Sequence, residues 1–131
     1  MNENSRRFTA AVQSCATLVE SLSSATLYFV GDSDPPTTPG VYVFVLNDRA
    51  IYVGEAKGSG GLRDRILRKH VAGDDGHALQ RYFLRDFPDR LTRREYIKQH
   101  VQVKWVVVAE EFVPIVERLA IWLFSPLLNR T

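Results

Sequence analysis

Gly40-Val41-Tyr42-Val43-Phe44-Val45-Leu46-Asn47-Asp48-Arg49-Ala50-Ile51-Tyr52-Val53-Gly54 is the segment from which the architecture of this chain can be worked out. β-Branched and aromatic residues fill both arms, and Asn47-Asp48-Arg49 reads as a turn, so the segment predicts a β-hairpin. With a three-residue loop, Leu46 faces Ala50, Phe44 faces Tyr52 and Tyr42 faces Gly54. Both tyrosines then share one face. Gly54 leaves space beside Tyr42 for a ligand or another backbone.

Towards the C-terminus, Glu55 to Gly61 is too glycine-rich to be regular, and Leu62 to Val71 predicts a basic helix ended by Ala72-Gly73. A further helix is expected over His77 to Arg85. Thr92 with Glu95 carries the capping-box pattern of another. VQVKWVVVA (101–109) predicts a core strand buried on both faces, and FVPIVERLAIWLF (112–124) a mostly buried helix with Pro114 in its first turn. Towards the N-terminus, GDSDPPTTPG (31–40) predicts a loop, preceded by the β-prone TLYFV (26–30). Residues 5–23 predict an amphipathic helix burying Phe8, Val12, Cys15, Val19 and Leu22.

At 131 residues, 45% of them apolar, the chain has the size and composition of a single folded domain. One cysteine excludes an internal disulfide or a Cys-rich zinc site. No apolar run is long enough to span a membrane, and the polar opening MNENSRR lacks the core of a secretory signal, so a soluble, cytoplasmic protein is expected. The net charge of +2 says little, but residues 57–98 hold eleven basic and six acidic side chains. Such clustering fits a nucleic-acid partner, and equally a set of solvated helix faces.

Glu117 stands one helical turn from Val113, Pro114, Ala120 and Ile121. A carboxylate on an apolar wall must be paired, hydrogen-bonded, neutralised or bound to a cation.

Gly40-Val41-Tyr42 followed by Ile51-Tyr52-Val53-Gly54 resembles the two-part signature of the GIY-YIG nucleases, with valine replacing isoleucine in each half. The resemblance continues through the arginine-bearing helix at 62–70, Glu117 and the terminal Pro126-Leu127-Leu128-Asn129, and covers residues 40–129. It implies an α/β (α+β) sandwich in which a small three-stranded antiparallel sheet is flanked by helices. Here residues 1–35 would form an N-terminal helical extension and loop, and 74–100 a basic helical insert in the core at 36–131.

The implied activity is endonucleolytic hydrolysis of DNA, branched or damaged DNA included, by in-line attack of water. A recognition subunit or a homodimer would supply specificity. In that scheme Tyr42 is the general base or a water-orienting phenol, Tyr52 positions the nucleophile or phosphate, and Glu117 holds one Mg²⁺ or Mn²⁺. Arg65 pairs with phosphate oxygens, and Asn129 completes the site. For Tyr42 to act as the base, nearby cations should lower its pKa. Gly54, Lys57, Arg63, Arg68 and Lys69 are the implied substrate contacts.

The family often places His or Tyr four residues after its helix arginine, whereas Arg65 and His70 are five apart. On an α-helix Arg63 shares a face with His70, and Arg65 with Lys69, so two catalytic pairs are open. Glu55 replaces a lysine that some members carry. The insert's Arg81, Arg85, Arg90, Arg93 and Arg94 are candidate DNA contacts.

Overall fold

The computed structural model describes residues 2–73 and 76–129. Helix α1 (Glu3–Ser23) is followed by strands β1 (Tyr28–Phe29), β2 (Gly40–Leu46) and β3 (Arg49–Ala56). Helix α2 (Gly61–Arg63) runs directly into a π-helical segment, Asp64–Val71. Then come α3 (Ala78–Leu84), α4 (Arg90–His100), β4 (Gln102–Val107) and α5 (Val113–Phe124). The sheet is antiparallel with order β1-β4-β2-β3. It has four strands rather than the expected three, because the extension contributes Tyr28 and Phe29 opposite Val103 and Gln102.

The hairpin pairs Tyr42 with Gly54 and Phe44 with Tyr52, as expected. Its turn differs. Asn47 and Asp48 both have positive φ, giving a two-residue turn that pairs Leu46 with Arg49 instead of Ala50. A bulge at Ile51 restores the lost residue, so the register is back in step by Phe44 and Tyr52.

Side-chain alternation gives the sheet two apolar faces. Tyr42, Phe44 and Val103 point to Leu62, Ile66, Leu79, Phe83 and Ile97 of the α2 to α4 layer. Val41, Val43, Val45 and Val53 point to Cys15, Val19 and Leu22 of α1 and to Val113, Val116 and Ala120 of α5. The chain is thus a mixed α/β sandwich. The proline-rich loop has a task in it: the carbonyls of Thr38 and Pro36 accept from the N–H groups of Leu62 and Arg63 at the start of α2.

Three apolar expectations fail at the outer layer. Phe8 (71% exposed) and Val12 are exposed, because the 21-residue α1 outreaches strands of six to eight residues. Helix α5 is apolar all round yet can press only one side on the sheet, so Ile115, Leu119, Leu123 and Trp122 (79% exposed) face outward. Strand β4 is central, but Val107 is exposed rather than buried. In the insert, Asp89 rather than Thr92 caps α4, accepting from the Thr92 N–H and hydroxyl at 2.9 and 2.8 Å. Among the described residues no helix is long and apolar enough to cross a membrane.

Candidate active site

The site gathers where β2 and β3 meet the π segment. Gly54 makes the first contact possible: a Cβ there would overlap the Tyr42 phenol, so the ring can lie across β3 only because the residue is glycine. The π geometry makes the second. Its hydrogen bonds reach back five residues, as the Ala72 N–H does to the Leu67 carbonyl at 3.0 Å, so residues five apart fall on one face.

Arg65 and His70, which an α-helix would have separated, therefore line one cleft together with Tyr52. The Tyr42 hydroxyl lies 2.9 Å from His70 Nε2, and the His70 ring packs against Phe44 and Tyr52 with centroids 5.0 and 5.1 Å away.

The structure thus brings Arg65 and His70 together, a pair distinct from both expected α-helical ones. Arg63 points elsewhere and pairs with Asp34, so it is not brought to the site. Arg68 and Lys69 are exposed and do not line the cleft. Lys57 pairs with Glu55 at 3.5 Å and bears electrostatically on Glu117.

Burial dominates the electrostatics. It pushes the Tyr42 phenol well above its ordinary range, assisted by Tyr52, and Arg65 offsets this only in part. The expected lowering of Tyr42 is therefore not met in the protein alone. Burial also raises Tyr52, against the pull of Arg65. It holds His70 down at about 3, with Arg65 and His77 adding repulsion, so its imidazole is neutral at physiological pH. Glu117, half-buried on α5, is pushed up to about 7 by burial and by the charge of Glu55. Glu117 does not line the cleft itself, but its charge reaches both tyrosines.

Asn129, expected to complete the site, hydrogen-bonds the backbone between Tyr52 and Gly54. Its amide oxygen accepts from the Val53 N–H and its amide nitrogen donates to the Val53 carbonyl, both at 2.7 Å. The Leu128 N–H adds a bond to the Ile51 carbonyl at 2.8 Å. The terminal segment thus covers the free edge of β3 and fixes the backbone between Tyr52 and Gly54.

Several residues support the site through contacts that sequence reasoning did not find. Buried Gln80 donates to the carbonyls of His70 and Val71 at 2.9 and 2.7 Å and accepts from Arg93 Nε at 2.6 Å. Arg93 is buried too, and donates to the Phe87 and Pro88 carbonyls. It braces the insert from within. Arg94 donates to the Ala72 carbonyl at 2.8 Å. His77, Arg81 and Tyr82 line the cleft, and of these only Arg81 had a signal, its charge.

The metal question turns on the donor set. Among the described residues no group of three or more His, Cys, Asp or Glu side chains could hold an ion. Glu117 with Glu55 nearby is a small all-oxygen set, and it suits Mg²⁺ or Mn²⁺, which keep several waters and bind through one or two carboxylates. No protein-family model matches the chain, and no curated protein matches its sequence.

Proposed function

We propose that this chain is a metal-dependent DNA endonuclease of the GIY-YIG type. The observation that carries the reading is the meeting of Tyr42, Tyr52, Arg65 and His70, drawn from a hairpin and a π-helix, within electrostatic reach of Glu117. Glu117 would hold one Mg²⁺ or Mn²⁺, which when bound supplies Lewis acidity at the phosphate.

The chain's own groups account for the rest. The Arg65 fork pairs with nonbridging oxygens, and its buried Nε has no partner among the described residues. Tyr52, on the cleft wall, orients the attacking water. Tyr42 serves as the general base for that water, its phenol held in place by the 2.9 Å hydrogen bond to His70 Nε2. Because His70 is neutral, Nε2 has a lone pair to accept the phenol's hydrogen bond in the tautomer protonated at Nδ1. Specificity from a recognition subunit or second copy, and a cytoplasmic location, belong to the same proposal.

Nicking of supercoiled plasmid by the purified chain with Mg²⁺ or Mn²⁺, lost in EDTA, tests it. Absence of cleavage with either ion on duplex, branched and single-stranded DNA rejects it. That outcome would favour a second reading, a GIY-YIG-fold module that binds nucleic acid or docks a partner without cleaving. Full burial of the Tyr42 phenol speaks for that alternative.

A further inference from the structure

We infer that the cleft beside the tyrosines is a subsite for one unstacked nucleotide, so that the preferred substrate is DNA with an unpaired nucleotide next to the scissile phosphate. The inference deepens the endonuclease reading and takes the position of the phosphate from it. Tyr52, Arg65 and His70 form one wall, and His77, Arg81 and Tyr82 at and on α3 form the other. The volume is about 420 Å³, within the small-ligand range of roughly 300–1,000 Å³. That is room for one nucleotide.

The lining chemistry is that of a nucleotide. Among the described residues Arg65 Nε and His70 Nδ1 have no hydrogen-bond partner, and both side chains line this cleft, so its wall carries polar groups that the protein leaves uncommitted. Arg65 and Arg81 line the cleft together with Tyr52, so two guanidinium groups are available there to a phosphate. Tyr82 is 37% exposed and braced edge-on by buried Phe83, with centroids 4.9 Å apart. An aromatic held in this way is a platform for a base, and every base has a π-face to offer once it leaves the helical stack. The Gln80–Arg93 network ties α3 to the carbonyl end of the π segment, so the second wall is preformed.

The test measures binding without metal. A single-stranded oligodeoxynucleotide carrying 2-aminopurine, and the same strand in a duplex, are titrated with the protein in EDTA at fixed salt. The single strand should bind more tightly than the duplex, with quenching of the 2-aminopurine. Tyr82→Ala should weaken single-strand binding by about 5- to 150-fold and leave duplex binding unchanged. Tyr82→Phe should bind as wild type does.

Unchanged single-strand binding by Tyr82→Ala, or equal losses on both DNAs, overturns the subsite. Because this readout needs no cleavage, a protein that passes but never cuts keeps the subsite and refutes only the endonuclease. A nuclease whose Tyr82→Ala variant binds single strands normally refutes only the subsite.

Discussion

The Tyr42 hydroxyl and His70 Nε2 are 2.9 Å apart, although they come from a strand and a π-helix 28 positions apart and both side chains are buried. Three local features meet in that bond. Gly54 admits the phenol, the five-residue π step turns His70 towards it, and Gln80 holds the His70 carbonyl.

Tyr42→Phe keeps the ring but leaves His70 Nε2 buried without its partner. The variant should lose about 1–3 kcal/mol of stability, the usual cost of an unsatisfied buried group. Plasmid nicking should slow by roughly 10² to 10⁴, the range for losing general-base assistance. A thermal melt with a single-turnover assay separates the two effects, and an unchanged rate would return Tyr42 to being a core aromatic.

Gly54→Ala places a Cβ where the Tyr42 hydroxyl and ring carbon lie. Overpacking of this kind costs about 1–3 kcal/mol and here also displaces the phenol from His70. In a Tyr42→Ala background the same change should cost little more. A double-mutant cycle by urea unfolding that shows simple additivity would contradict the contact.

His70 makes folding sensitive to acid. Its folded pKa of about 3 lies below the ordinary 6.5, so the unfolded chain binds more protons between those values. Its contribution to stability is complete above pH 6.5 and is lost as pH falls towards 3, on the order of 1 kcal/mol per pH unit. Urea unfolding at pH 7, 5 and 4 should show a steeper decline for wild type than for His70→Gln. Parallel declines would mean that another group governs the acid limb.

Much of this arrangement was legible in the chain. Alternation in 40–54 specified the tyrosine face and the Tyr42–Gly54 pairing, because period two leaves few registers. The shorter turn and the Ile51 bulge escaped notice because their effects cancel. The π segment was not legible, since the sequence 62–71 satisfies α periodicity and only the five-residue step brings Arg65 to His70. Burial of Gln80 and Arg93 depends on contacts between distant elements, and charge alone made Arg93 look solvated. Helix periodicity likewise marks which face of α1 is apolar and not how far the sheet beneath it extends.

The insert's arginines divide into two groups. Arg81 and Arg85 are exposed, whereas Arg93 and Arg94 hydrogen-bond the protein's own carbonyls. Reversing Arg81 and Arg85 to Glu should weaken DNA binding and flatten its log-log salt dependence by about one unit per lost phosphate contact. Arg93→Ala should instead lower the melting temperature. An unaltered salt slope in the double reversal would make those residues a solvated face.

Glu117→Gln keeps the side-chain volume and removes the charge that a hard cation requires, so cleavage should vanish while fold and DNA binding persist. The stability consequence has a definite sign. The folded pKa of about 7 exceeds the ordinary 4.5, so the folded chain holds the extra proton between these values and wild-type stability falls as pH rises through them. For a half-buried, solvent-screened group the loss is on the order of 1 kcal/mol. Glu117→Gln should therefore match wild type near pH 4 and melt higher at pH 8. Mg²⁺ should raise the wild-type melting temperature at pH 8 and leave the variant unmoved, because the ion relieves the same carboxylate repulsion that the amide abolishes. Near-wild-type nicking by Glu117→Gln, or an equal Mg²⁺ response in both proteins, would remove Glu117 from the metal site and leave its raised pKa a consequence of burial and of the Glu55 charge.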